Sequence, residues 1–291
     1  MPLPIVCCYF NPQGFVARRR NYREMRERLS PAVDLLTVEL TFGDAEPELA
    51  DLEDVLHLRC PDVMWQKERL LQIGIDRLLD QGAEQVAWID ADTVFESPDW
   101  HASVLAQLQD HEVVHCMTEG RKLFTDRTVD TLSVVAADHR GLALRTQQMT
   151  FGGAWAARRE FFASHALYDR GILGGGDTAF AQACLPEDSN ARQWASWSIV
   201  PRLHEHYGAY RDRFAPIAVG HVPGRCTFLA HGAYSDRGFS ARYRALAGYD
   251  PVADVAVASS GCLEWSTAKP ELHAGVRGYF ESRAEDRGIG T

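Results

Sequence analysis

The chain has 291 residues, 46% hydrophobic and 24% charged, with a formal net charge of -10. Such a chain can bury a sizeable core, which excludes bulk disorder, a collagen-like repeat and a sustained coiled coil. No run approaches the roughly 18 apolar residues that a membrane-spanning helix needs, and the acidic balance weighs against nonspecific binding to nucleic acid.

Residues 3–9 are almost wholly apolar and read as a strand buried on both faces. No basic segment precedes them and Asn11-Pro12 ends them, so they are a first strand and not a signal peptide. Nothing else points to secretion, and the expected location is the cytoplasm. The seven cysteines are scattered and form no C-x-x-C, which fits buried reduced thiols better than a zinc site or a disulfide framework. A helix follows over 18–29, with Tyr22, Met25 and Leu29 recurring at helical spacing until Ser30-Pro31 stops it. Arg18, Arg19, Arg20, Arg23, Arg26 and Arg28 crowd this helix. They are either a solvated face balanced by Glu24 and Glu27 or a patch that faces phosphate groups.

Residues 34–40 read as a second strand, 43–53 as an acidic loop and 55–58 as a third strand. The strongest helix spans 65–80, where Trp65, Leu70, Leu71, Ile73, Ile75, Leu78 and Leu79 make a broad apolar stripe that Gly82 ends. A hydrophobic strand then runs into Asp90 and Asp92. Residues 117–150 are polar and suggest a loop carrying a short hairpin. Residues 151–157 read as a strand entered through glycines and 158–165 as a short helix. Gly174-Gly175-Gly176 opens a helix at Asp177, 189–207 is read as helical, 225–231 as a last strand ending in His231, and 270–284 as a last helix. The alternation implies an α/β fold with a mixed, mostly parallel sheet flanked by helices. One domain over 1–291 is expected, with about 246–291 as an extension packed on it.

Trp88-Ile89-Asp90-Ala91-Asp92 is the most chemical feature. Open parallel sheets bind ligands at the carboxyl ends of strands, and a D-x-D pair there can hold a hard cation, Mg²⁺ or Mn²⁺, against a diphosphate. The same aspartates could instead end the strand by local hydrogen bonds. Asp177, with no cationic residue beside it in sequence, is either a helix N-cap or a carboxylate presented to a pocket as a general base. His231 at a strand end is a possible metal ligand or an ordinary hydrogen-bonded histidine.

Four blocks in order, WQKERLLQIGI (65–75), WIDADTVF (88–95), FGGAWAARREF (151–161) and LGGGDTAF (173–180), resemble segments of the β-1,4-galactosyltransferase family of GT-A glycosyltransferases. A weaker fifth is CTFLAHG (226–232), and HGAYSDRGFSARYRAL (231–246) is similar to soluble bacterial and phage-type relatives. The resemblance implies a GT-A, Rossmann-like fold. It puts Asp92 and His231 on the metal ligands, Asp90 on a donor-contacting carboxylate and Asp177 on the catalytic base. Trp65 and Lys67 fall beside the nucleotide, with Trp65 either stacked on uracil or anchoring its helix in the core. Gly152 and Gly153 fall on the donor side; Leu173, Gly175 and Gly176 fall on the acceptor side. Leu173 replaces an acceptor-site tryptophan, Gly176 and Thr178 replace acidic residues, and Phe228 stands where a methionine helps bind metal, so the acceptor is expected to differ from N-acetylglucosamine.

The implied activity is inverting transfer of a sugar from a UDP-sugar donor to a hydroxyl, with Mn²⁺ or Mg²⁺ as cofactor and no membrane partner. The acceptor is a saccharide or other glycoconjugate, or alternatively a hydroxymethylated pyrimidine in phage DNA. A metal-dependent nucleotidyltransferase and a non-catalytic sugar-binding protein are the competing classes.

Overall fold

Alternate residues of the first strand, β1 (Leu3–Phe10), enter two different cores. Leu3, Ile5, Cys7 and Tyr9 pack on one side and Val6, Cys8 and Phe10 on the other, all buried. A central strand covered on both faces has no solvated side, which is why its sequence is continuously apolar. The computed structural model describes residues 2–139, 148–185, 199–214, 217–239 and 241–288.

In chain order, α1 (Val16–Glu27), β2 (Val33–Phe42), β3 (Val55–Cys60), α2 (Lys67–Asp80) and β4 (Gln85–Ile89) follow β1. Then come β5 (Thr93–Phe95), α3 (Trp100–Asp110), β6 (Val113–His115), β7 (Glu119–Leu123), β8 (Thr128–Ser133), α4 (Val134–His139), β9 (Met149–Thr150) and β10 (Ala154–Arg158). The remaining elements are α5 (Arg159–Phe162), α6 (Gly176–Cys184), α7 (Pro201–Arg211), β11 (Val219–His221), β12 (Arg225–Phe228), β13 (Val255–Val257), β14 (Leu263–Trp265) and α8 (Pro270–Ser282).

The main sheet has the order β11-β6-β10-β4-β1-β2-β3. All its pairs are parallel except those of β10 with β4 and β6. A smaller sheet, β5-β12-β7-β8-β9, stands beside it, and β13 and β14 form a hairpin. This is the expected mixed, mostly parallel α/β architecture. One face of the main sheet carries α2, whose Leu70, Leu71, Ile75 and Leu78 join Val6 and Val38. Gly74 allows the close approach, because a Cβ there would collide with Val6. The opposite face carries Tyr22 and Met25 of α1 with Trp100, Val104 and Leu108 of α3. Among the described residues no helix is long and apolar enough to cross a membrane.

Several boundaries differ from the sequence reading. The first helix begins earlier, at Val16, because its N-terminus is capped from far along the chain: the Asp286 carboxylate accepts the N–H groups of Val16 at 3.1 Å and Ala17 at 2.8 Å. Trp65 precedes α2 instead of opening it. The hairpin expected within 117–150 is β7–β8, and it belongs to a sheet. Within the region read as a helix over 189–207, residues 186–198 lie outside the described residues and the described helix is α7. The strand read over 225–231 is β12, which ends at Phe228, three residues short of His231, and it is not the last, because β13 and β14 follow it.

Candidate active site at the carboxyl edge of the sheet

β4 delivers Asp90 and Asp92 to the carboxyl edge of the parallel strands. Asp90 is locked to the chain entering β10: its N–H donates to the Gly153 carbonyl at 2.8 Å, and its Oδ2 accepts the Gly153 N–H at 3.2 Å. Gly153 turns there with φ of 102°, a conformation suited to glycine. Lys67, the first residue of α2, donates from Nζ to Asp90 Oδ1 at 2.8 Å and reaches Asp177 Oδ2 at 3.4 Å. The cation that Asp177 lacks in sequence is thus supplied by α2.

Asp177 is not the N-cap of its helix. Gly175, at φ 98°, holds that position, and Asp177 lies in the first turn with Oδ1 accepting the Thr178 N–H at 2.7 Å. Gly152 is required by what lies against it, because a Cβ would strike the Asp177 carboxylate; one on Gly176 would strike the carboxyl of Glu68. These residues line a small cavity with Trp88, Trp155 and Phe180 as its apolar wall.

The charges in this pocket are unequal. Burial pushes Asp177 up, but the Lys67 ammonium, the Thr178 N–H, Lys122 and Arg242 together hold it below the usual carboxylate range. Burial raises Asp90, with Lys67 opposing and Asp92 and Asp177 adding to the rise. Burial would lower Lys67, yet Asp90 and Asp177 hold it well above its ordinary value. Glu68 is 4% exposed, and burial pushes it up to about 7 against the pull of Lys67. Its Oε1 has no hydrogen-bond partner among the described residues.

A second cluster adjoins the first. β12 pairs with β5, and the Leu229 N–H donates to the Asp92 carbonyl at 2.9 Å, which brings the following residues back over the D-x-D turn. His231 Nε2 lies 3.0 Å from Asp92 Oδ2, and its Nδ1 lies 3.1 Å from Glu285 Oε2. Arg237 Nη1 stands 2.7 Å from Nε2. Arginine has no acceptor, so the Arg237 contact calls for a lone pair on Nε2, whereas the Asp92 contact calls for a proton there; one ring nitrogen serves only one of them at a time, and Nδ1 faces Glu285. Burial would raise Asp92, but the hydrogen bond and charge of His231 hold it below the usual range. Glu285 also pairs with Arg18 at 2.7 Å and with Arg283. Burial notwithstanding, Arg18, Arg283 and His231 push Glu285 well down.

The carboxylate of Asp92 and Nε2 of His231 converge to 3.0 Å, with the Arg237 guanidinium beside the imidazole. This donor set fits a divalent cation, and a buried carboxylate on the other ring nitrogen is the kind of partner that orients a ligating histidine. Among the described residues no group of three or more His, Cys, Asp or Glu surrounds a common metal position. Among the described residues, Asp92 and His231 are the pair that could hold such a cation.

The fold thus assembles Lys67, Asp90, Asp92, Gly152, Gly153, Gly175, Gly176, Asp177 and His231 at one edge. It does not bring Leu173 to an acceptor space: that side chain is fully buried in the core beneath the glycine turn, so its apolar character is explained by packing. Trp65 is half-buried, edge-on to Phe10 at 5.3 Å and roughly parallel to Phe280 at 6.4 Å, with the Arg283 guanidinium 5.5 Å from its ring centre. Its neighbours are those of a core anchor. Phe228 packs against Gly120 and Gly153, and the Lys122 ammonium lies 5.7 Å from its ring. Sequence reasoning missed Glu68 and Glu285 as site residues; Arg237 lay inside a quoted block but was assigned no role. Of the arginine run, Arg18 pairs with Glu285, Arg23 with Asp51, Arg26 with Asp54 and Arg28 with Glu24. These four are engaged by protein carboxylates, of which only Glu24 is a partner that the solvated-face reading named, and the Arg18 pair is buried.

No family model and no curated protein matches the chain. Similar solved structures include a mycobacterial protein at 16% identity, covering 91% of this chain and 83% of that chain with a TM-score of 0.45. Another is glucosyl-3-phosphoglycerate synthase from Mycobacterium tuberculosis in complex with Mg²⁺ and UDP, at 13% identity, 77% and 69% coverage and a TM-score of 0.37. A third is S. aureus TarS 1-349 in complex with UDP-GlcNAc, at 10% identity, 62% and 52% coverage and a TM-score of 0.40. Likeness of this degree assigns no activity.

Proposed function

We propose that this chain is a GT-A glycosyltransferase that moves a sugar from a UDP-sugar to an acceptor hydroxyl with inversion. The observation that carries the reading is the convergence of Asp90, Asp92, Asp177 and His231 at the carboxyl edge of the sheet, on the motifs that resemble the galactosyltransferase blocks. Asp177, kept ionised by Lys67, accepts the proton of the acceptor hydroxyl while that oxygen attacks the anomeric carbon. The bond from that carbon to the diphosphate breaks as the new one forms, and UDP leaves from the opposite face. A base of this kind contributes about 10²–10⁴-fold in rate. Asp92 and His231 would hold Mn²⁺ or Mg²⁺, which when bound acts as a Lewis acid on the leaving diphosphate. Asp90 and the Gly152–Gly153 turn shape the donor side; Gly175 and Gly176 lie on the acceptor side, where Gly176 makes room for Glu68.

The acceptor we favour is a saccharide hydroxyl, since the paired-off arginines of α1 remove most of the motive for a nucleic-acid track. Residues 1–291 act as one catalytic unit on this reading, with 246–291 packed on it. Seven buried free thiols suit a reducing compartment, the cytoplasm. The test is release of UDP across a panel of UDP-sugars, with oligosaccharides, unmodified DNA and hydroxymethylated DNA as acceptors. UDP release that depends on an oligosaccharide supports the reading. Release of pyrophosphate from a nucleoside triphosphate, or turnover only with modified DNA, overturns the reaction or the acceptor respectively.

A further inference from the structure

Two guanidiniums bond one phenol at the edge of the candidate site, and the charge of a third acts on it. Tyr279 of α8 accepts a hydrogen bond from Arg283 Nη1 at 2.9 Å and from Arg242 Nη1 at 3.3 Å. Burial would push its hydroxyl up, but Arg283, Arg242 and Arg237 pull it down to about 8. That is the signature of a dense positive field. The carboxylates available do not cancel it. Glu285 is shared by Arg18 and Arg283, while neither Arg237 nor Arg242 has a carboxylate within 4.0 Å among the described residues. Burial lowers Arg237 to about 10, with Arg283 adding to the fall.

Two N–H donors in this group are left over. Arg283 Nη2, on a residue 1% exposed, and Arg242 Nε are buried and have no hydrogen-bond partner among the described residues. A buried guanidinium N–H without an acceptor costs free energy that a protein avoids unless a ligand supplies the acceptor. The residues that carry these donors adjoin the site. Arg242 lies against Gly174, where a Cβ would stand 3.2 Å from its Nη1, and it acts on Asp177. Arg237 touches His231 and acts on Asp92. The trio therefore spans the ground between the acceptor-side base and the Asp92–His231 pair. Planar forks with surplus charge and unfilled donors match the oxygens of a tetrahedral dianion.

We propose that Arg237, Arg242 and Arg283 form a binding site for a phosphoryl group that holds its ligand without any metal. The proposal rests on the transferase reading only for which molecule carries the phosphoryl group: the diphosphate of the donor or a phosphate on a second substrate.

The experiment is calorimetric titration of the full chain with UDP, pyrophosphate, inorganic phosphate and uridine, in EDTA and again with Mn²⁺. In EDTA, UDP and pyrophosphate still bind, and uridine binds at least about tenfold more weakly than UDP. Arg237→Gln and Arg242→Gln each weaken UDP by about tenfold or more, as loss of a charge-assisted hydrogen bond does, and leave uridine unchanged. Arg242→Lys keeps the charge, guards against a folding defect, and recovers part of the loss. Inorganic phosphate titrated into UDP-saturated protein separates the sources. Exclusion by UDP assigns the site to the donor diphosphate; simultaneous binding that Arg242→Gln removes assigns it to a second substrate. Loss of both UDP and pyrophosphate binding in EDTA, or wild-type affinities in both glutamine variants, overturns the proposal. Intact pyrophosphate binding with no turnover of any UDP-sugar would sink the transferase reading and leave this site standing.

Discussion

The two charged clusters at the sheet edge differ in what they lack. Around Lys67, the carboxyl groups of Asp90, Asp177 and Glu68 share one ammonium. Around Glu285, Arg18, Arg283 and His231 share one carboxylate, with Arg237 and Arg242 close by. The first cluster is short of cations and the second of anions, although they are neighbours. A merely structural layer of ion pairs would cancel locally, because a buried charge without a partner is expensive. On the transferase reading proposed above, the acidic side takes the proton and the basic side holds the anion.

The comparison breaks most visibly at Asp177. Asp177→Asn is expected to lower kcat by about 10²-fold or more while KM for the UDP-sugar stays near wild type. Asparagine keeps the hydrogen bond to Thr178, so the melting temperature should move little; a normal kcat would place the base elsewhere. The next largest effect falls on the basic cluster. Glu285 is fully buried, and Glu285→Ala leaves Arg18 and Arg283 unpaired, which should cost about 3–5 kcal/mol in denaturant unfolding. Because the folded carboxyl titrates well below its unfolded value, the stability it gives is present above pH about 4.3 and fades as pH falls further. An unchanged unfolding midpoint in the alanine variant would contradict this.

Glu68 works in the opposite sense. Its carboxyl, pushed up to about 7, is at ease when protonated; the folded state loses stability as pH rises from the unfolded value through 7. Glu68→Gln should therefore gain about 3 kcal/mol relative to wild type at pH 8 and little at pH 4, as unfolding at the two pH values would reveal. An equal difference at both would mean that the carboxyl is not held neutral. The smallest effect is expected outside both clusters. Arg26→Ala removes a half-exposed pair with Asp54 and should change stability by no more than about 1 kcal/mol and leave kcat alone. A large loss of turnover there would revive a functional role for the arginine run.

The alternation of β1, the stripe of α2 and the apolar run of β4 were legible because each is a local consequence of which faces are covered. The D-x-D turn and the glycine-opened α6 were legible for the same reason: a strand end and a positive φ leave marks within a few residues. The partners of these groups were not. Lys67 reaches Asp177 across 110 positions and Asp286 caps Val16 across 270, distances at which sequence carries no periodic signal. Leu173 shows the converse error. The resemblance put it on the acceptor side, while its apolar side chain is buried in the core.

The capping of α1 by Asp286 also sets an order of events during synthesis. Val16 and Ala17 leave the ribosome long before the carboxylate that satisfies their N–H groups exists, and the Glu285 that faces His231 is made one residue earlier. Just before both acids, Ala284 takes a left-handed φ of 45°. The nascent chain can build its central sheet early, but the charged edge waits for the segment Arg283–Asp286 to emerge from the exit tunnel. Until then the polypeptide carries Asp90 and Asp92 without their finished surroundings.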